Sequence, residues 1–215
     1  MCTRVWQRPL LIDGCKFDIR VYVLVCGWDE PSRIWLYDVM LLKLCRQPFD
    51  LERLYEPLRH LTNCAVQSAG GRQSKHATIP GVDESSDTLW SSNRFSEWLR
   101  DQGYGETAWE QQVLPAIGIV AKATLNRAYA QHAPAAAPRR RSFEVFGLDV
   151  ILDAELRPWL LEVNESPNLR DHGVDVLEPL LDSLLYVISA GASVGSTQRP
   201  LSSLRGALSG TWQPI

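Results

Sequence analysis

The chain has 215 residues, 45% of them hydrophobic and 22% charged, with a formal net charge of −3. This composition fits an ordinary globular protein, and the absence of a basic excess argues against nucleic acid as a partner. No run approaches the roughly 20 consecutive apolar residues that a bilayer span needs, and the opening MCTRVWQRP lacks the apolar core of a signal peptide.

The five cysteines (Cys2, Cys15, Cys26, Cys45, Cys64) fall in the first third and form no CxxC pair. They read as reduced, structural thiols in a cytoplasmic compartment.

KFDIRVYVLV, residues 16–25, alternates and then turns continuously apolar, the pattern of a strand entering a core. Lys16, Asp18 and Arg20 share one face, and Phe17, Ile19 and Val21 the other. With an apolar reverse side held in the core, the charged face must meet something polar. Lys16 offers a point charge and Arg20 a forked donor for phosphate oxygens, with Asp18 between them to orient Arg20 or accept from an amine. The alternative is a cross-strand ion-pair ladder, which Lys43 would join from a neighbouring strand.

Turn residues in GWDEPS (27–32) precede RIWLYDVMLLKL (33–44), which reads as one or two further strands, antiparallel to the first. HLTN (60–63) supplies donors and acceptors in His60, Thr62 and Asn63, although such a tetrapeptide alone is usually a capped turn or helix start. Segment 68–92 is Gly- and Ser-rich and is expected to be a long mobile loop.

A helix is predicted over about 93–102, capped by Ser92, with Phe95, Trp98 and Leu99 on one face and Gly103 after its end. A second covers about 113–129, with Ile117, Ala121, Leu125 and Ala128 at core spacing and Pro115 in its first turn. HAPAAAPRRR (132–141) is a low-complexity, mobile connector. The run from Val174 to Ala190 carries a helical stripe of Val174, Leu177, Leu181, Leu184, Leu185 and Ile188, and 191–215 reads as a disordered tail.

FEVFGLDVILDAELRPWLLEVNESPNL, residues 143–169, reads as a hairpin of two apolar runs. If Asp153 and Pro158 flank a four-residue loop, Asp149 lies directly opposite Glu162, and Asn164 points to the same face. Opposed carboxylates destabilise a sheet, and desolvation worsens it. Either one acid is solvated or paired with an arginine, or the three oxygen donors hold a hard cation such as Mg²⁺. A one-residue slip would remove Asp149 from the set. Cations for phosphates on one strand and oxygens for a bridging ion on another are what phosphoryl transfer requires.

KFDIRVYVLV, WLY, HLTNCAVQ and the long hairpin, in this order, resemble the tubulin tyrosine ligase-like family of ATP-grasp ligases over about residues 4–190. The resemblance implies an α/β (α+β) fold: the C-terminal portion of an ATP-grasp domain, with an antiparallel sheet flanked by helices. It implies a partial catalytic domain over 1–190, truncated at its N-terminal side. ATP and Mg²⁺ would be the cofactors, with Asp149, Glu162 and Asn164 on the metal. Lys16 and Arg20 would meet phosphates beside Asp18 and Lys43, the last standing where the family usually has arginine. His60, Leu61, Thr62 and Asn63 would line the nucleotide side. The implied reaction is amino-acid addition to tubulin through an acyl phosphate. The runs RPLLIDGCKFDIRVYVLV and WLLEVNESPNL look closest to glutamylase-type members, which favours glutamate, the acidic tubulin tails as substrate, and a cytoskeletal location at the cilium or basal body. A glycylase and a catalytically inactive tubulin- or partner-binding module are the alternatives.

Overall fold

The computed structural model describes residues 8–26, 34–69, 88–132, 143–171, 174–175, 180–181, 183–185 and 212–215. The connector at 133–141, the arginines within it, residues 70–87 of the expected loop and residues 191–211 of the expected tail lie outside these.

The fold is built on β2 (Cys15–Cys26), whose β-branched and aromatic run is buried on both faces. β1 (Leu11–Ile12) turns into it through Asp13 and Gly14, with φ of 49° and 78°. Two consecutive left-handed residues suit a tight hairpin, and Asp-Gly accepts that conformation readily.

On one side β2 pairs with β3 (Ile34–Tyr37) near its end and with β4 (Leu41–Leu44) near its start. β5 (Leu89–Ser91) extends the sheet beyond β4. On the other side β6 (Phe143–Leu152) follows β2 for eight positions and carries β7 (Pro158–Asn164). β8 (Arg170–Asp171) and β9 (Val174–Asp175) form a separate ribbon, and β10 (Trp212–Pro214) pairs with the outer edge of β3. Among the described residues the main sheet has eight strands, all antiparallel.

Short helices α1 (Pro57–His60) and α2 (Cys64–Ala69) follow β4, and α3 (Ser92–Asp101) and α4 (Leu114–His132) cover one face of the sheet. There Phe17, Ile19, Val21 and Val23 pack with Phe95, Leu99, Ile117, Ala121 and Leu125. On the other face Tyr22, Leu24, Tyr37, Leu41 and Leu89 pack with Leu180, Leu184 and Trp212. β2 thus changes character along this second face, charged from Lys16 to Arg20 and apolar from Tyr22 onward. No helix among the described residues is long and apolar enough to cross a membrane.

Several boundaries depart from expectation. Ser91, not Ser92, caps α3, its hydroxyl accepting from Arg94 N at 3.3 Å. The loop expected to run to residue 92 ends earlier, because Leu89 and Trp90 bury their side chains as β5. Pro115 does lie in the first turn of α4, but the preceding turn, Trp109–Val113, is a π-helix. Pro115 has no N–H for the carbonyl four residues back, and a wider turn absorbs that gap.

The stripe from Val174 does not form one helix. Val174 and Asp175 are strand, while the described residues 180–181 and 183–185 are helical, with Leu180 and Leu184 buried and Leu185 62% exposed. The expected tail also ends in order: Trp212 has only 6% of its surface exposed.

The β6–β7 turn is organised by Asp153. Its carboxylate accepts from Glu155 N (3.0 Å), Arg157 N (2.9 Å), Arg157 Nε (2.9 Å) and Trp159 Nε1 (3.0 Å). Burial pushes this acid up, but those donors outweigh it and hold the group below its ordinary value. A depressed folded pKa contributes stability that is present above the unfolded value, about 4, and is lost as pH falls through the folded one. Asp153→Asn should therefore flatten the acid limb of a stability-versus-pH curve, measured by urea denaturation from pH 7 to pH 3; an unchanged limb would contradict this.

Candidate functional site

A polar stripe crosses the sheet transversely. Register sets Lys43 of β4 beside Asp18 of β2, Arg20 beside Asp149 of β6, and Asp149 beside Glu162 of β7. The last pairing depends on a bulge. Near the turn Leu152 opposes Pro158 and Val150 opposes Leu160, whereas Asp149 opposes Glu162, so Leu161 is the extra residue. Without that bulge Leu161 would face Asp149, and Glu162 would turn to the other side.

Within the stripe Asp149 is the hub. Arg20 grips it with two donors, Nε to Oδ1 at 2.5 Å and Nη2 to Oδ2 at 3.0 Å, and Lys43 Nζ lies 3.2 Å from Oδ2. Lys43 also lies 3.1 Å from Asp18 Oδ1, while Thr62 Oγ1 donates to Asp18 Oδ2. Lys16 Nζ donates to the His60 carbonyl at 2.8 Å. Lys16, Asp18, Arg20, Lys43, Thr62 and Asp149 are all buried.

The two acids are tuned apart. Burial pushes both up, but the Arg20 hydrogen bonds and Lys43 bring Asp149 below its ordinary value. Asp18 stays above its ordinary value: burial and the charge of Asp149 exceed what Lys43 and Thr62 give back. Burial also lowers Lys16, whereas Lys43 is raised because the two aspartates overcome its desolvation.

Glu162 differs from expectation: it is exposed. The repulsion foreseen between opposed buried carboxylates is relieved by both routes named for the simpler alternative, because Arg20 and Lys43 neutralise Asp149 and water solvates Glu162. Asn164 Nδ2 donates to Glu162 Oε1 at 3.1 Å and to the Gly147 carbonyl at 3.4 Å, leaving its Oδ1 outside these two bonds. No cluster of three or more His, Cys, Asp or Glu side chains suited to a metal occurs among the described residues.

The HLTN segment divides. Thr62 joins the network through its side chain, and His60 through its backbone; the His60 ring sits 3.0 Å from the Arg53 carbonyl and edge-on to Phe49. The Leu61 and Asn63 side chains are exposed. The Leu61 carbonyl accepts from Gln67 Nε2 at 2.5 Å, and that of Asn63 accepts from Val66 N at 2.9 Å, opening α2. The cysteines Cys15, Cys26, Cys45 and Cys64 keep their thiols, and burial pushes Cys45 up to about 12, which makes it inert.

Sequence reasoning did not single out Gly147 or Tyr22. A Cβ on Gly147 would stand 2.7 Å from Pro167 Cβ and 3.3 Å from Arg20 Cδ. Tyr22 OH donates to the Asn168 carbonyl at 3.2 Å. Together they let the segment after Asn164 fold back against Arg20. A lone glycine inside a strand pattern is the available signal for such close approach. Gly147→Ala should destabilise the fold by about 1–3 kcal/mol through overpacking, seen as a lowered Tm; an unchanged Tm would mean the segment is not seated on this glycine.

The family sequence model described as "Tubulin-tyrosine ligase family" matches residues 5–192. The chain belongs to the tubulin-tyrosine ligase family. The α+β class with an antiparallel sheet, in the ATP-grasp manner of that family, follows with it. Among tubulin-tyrosine ligase relatives, the chain is 34% identical over 202 residues to the tubulin polyglutamylase ttll6 of Danio rerio, covering 89% of this chain and 25% of the relative. It is 35% identical over 164 residues to the protein monoglycylase TTLL8 of Homo sapiens (76% and 18%) and 33% identical over 193 residues to the tubulin polyglutamylase TTLL6 of Mus musculus (86% and 22%). The chain thus spans a quarter or less of the length of these relatives.

Proposed function

We propose that this chain carries the phosphate- and metal-binding part of an ATP- and Mg²⁺-dependent ligase that adds amino acids, glutamate by preference, to tubulin tails. The observation that carries this reading is the stripe itself: three buried cations, Lys16, Arg20 and Lys43, against two buried carboxylates, beside the open oxygens of Glu162 and Asn164. Phosphoryl groups match the fork of Arg20 and the point charge of Lys16.

The donor set fits a hard cation in part. Glu162 is accessible, and the amide of Asn164 is oriented by the bonds of its nitrogen, so both are suited to Mg²⁺. Asp149 is already engaged by Arg20 and Lys43 and would hold the metal only through lone pairs those donors leave. In such a ligase ATP with Mg²⁺ activates a carboxyl group as an acyl phosphate, which an amine then converts to an amide or isopeptide. Asp149 holds Arg20 and Lys43 in place, Thr62 orients Asp18, and Asp18 lies beside Lys43, where an amine could be received.

The relatives named above are two glutamylases and a glycylase, and the preference for glutamate rests on the runs around KFDIR and WLLEVNESPNL. Action on tubulin would put the protein in the cytoplasm on microtubules, including those of the cilium and basal body. The test is ATP- and Mg²⁺-dependent incorporation of labelled glutamate, glycine or tyrosine into microtubules, made with this chain and with any longer product that contains it. Glutamate incorporation is expected. No incorporation of any of the three would leave the inactive-module reading, and glycine exceeding glutamate would overturn the choice of amino acid.

A further inference from the structure

The outer edge of β3 is filled by Trp212–Pro214, residues beyond the family match at 5–192. Trp212 opposes Tyr37, Gln213 opposes Leu36 and Pro214 opposes Trp35, and Ile215 N continues the ladder by donating to the Ile34 carbonyl at 3.0 Å. Alternation sends the two large side chains to opposite layers. The Trp212 ring packs on Tyr37 at 5.1 Å between centroids, in the layer of Leu180 and Leu184. Ile215 enters the layer of α4, where Gly118 makes room: a Cβ there would meet Ile215 Cγ2 at 3.4 Å. Alongside Ile215 runs a groove of about 370 Å³, lined among others by Leu36, Pro115, Gly118, Ile119 and Lys122.

We propose that this edge and groove form a docking site for an extended peptide with an indole at one position and a branched aliphatic side chain three positions later, occupied in cis by Trp212–Ile215. Strand addition takes affinity from main-chain hydrogen bonds and selectivity from alternating side-chain pockets, and both elements are present here. The occupant is joined to the nearest described residue before it, Leu185, by the 26 residues from 186 to 211. Because the occupant belongs to the same chain, it competes intramolecularly with any added peptide. Pro214, which lacks an N–H, is tolerated because it lies on an edge strand.

The test uses a fluorescein-labelled peptide of residues 208–215 against two forms of the chain, the whole and one ending at Thr211. Saturable binding to the shortened chain is expected, at least roughly tenfold weaker to the whole chain because the tethered copy competes. Trp212→Ala in the peptide, or Gly118→Leu in the chain, should abolish it. Equal binding to both forms, or none to a shortened chain whose circular dichroism is unchanged, would overturn the proposal. Should the shortened chain fail to fold, a protease site placed at 196–203 of the whole chain allows the folded protein to be cut. The freed segment should then stay associated on gel filtration and be displaced by excess peptide. A segment that resists displacement, or separates even at high protein concentration, would overturn the proposal.

Discussion

Arg20→Met should lower folding stability by about 3–5 kcal/mol, the range for removing one member of a buried ion pair. Asp149 is 4% exposed and takes both of its shortest contacts from Arg20, at 2.5 and 3.0 Å. Without the guanidinium its remaining partner is Lys43, which is also committed to Asp18 at 3.1 Å. One ammonium would then serve two desolvated carboxylates, one of them already raised by burial and by its neighbour's charge. The double change Arg20→Met with Asp149→Leu should recover most of the loss, because apolar groups of similar volume replace a buried pair at little cost. By contrast Arg53→Met should cost under about 1 kcal/mol, since its side chain is exposed and its ion pairs with Asp50 and Glu56, each at 3.6 Å, are water-screened. Urea denaturation of the four proteins decides: an Arg20→Met loss no larger than that of Arg53→Met would mean that Asp149 is stabilised elsewhere.

The same residues show what a sequence can and cannot disclose. The period-2 alternation of KFDIR placed Lys16, Asp18 and Arg20 on one face correctly, because a strand with Phe17, Ile19 and Val21 in the core leaves no other choice. The opposition of Asp149 and Glu162 was also legible, though for an incomplete reason. The four-residue loop does not form: Leu152 rather than Asp153 opposes Pro158, so five residues, Asp153 to Arg157, join the strands and the register near the turn is shifted by one residue. The bulge at Leu161 restores the pairing, and no local propensity announces a bulge. Solvation was not legible. Glu162 sits in a run as apolar as that of Asp149, yet β7 pairs only with β6 among the described residues, and Glu162 reaches water. Edge or centre is a property of topology, which pattern alone does not carry. The end of the chain was misjudged for a related reason. Its Ser- and Gly-rich surroundings make the whole stretch read as polar, while two anchors, Trp212 and Ile215, are enough to fix four residues once a strand edge awaits them.

In the ligase proposed above, Glu162→Gln should reduce turnover by about 10²- to 10³-fold, the loss typical when a charge-stabilising group leaves an active site, while changing folding stability by no more than about 0.5 kcal/mol. The stability half follows from geometry. Glu162 is exposed, its hydrogen bond in the site is accepted from Asn164 Nδ2 at 3.1 Å, and a glutamine oxygen can accept the same bond. Shape and bonding survive and only the charge is removed, unlike at Asp149, where the charge is itself part of the fold. The functional half follows from the proposed metal. A hard divalent ion needs anionic oxygen, and with Asp149 already held by Arg20 and Lys43, Glu162 is the carboxylate of the stripe that remains open to it. Titrating Mg²⁺ with a fixed amount of ATP should accordingly show weaker metal-dependent nucleotide binding in Glu162→Gln, with unchanged nucleotide binding when metal is absent. Parental turnover together with parental Mg²⁺ dependence would remove Glu162 from the metal site and leave Asn164 without an anionic partner there. Loss of turnover with a matching loss of stability would instead make Glu162 a structural residue, against its exposure.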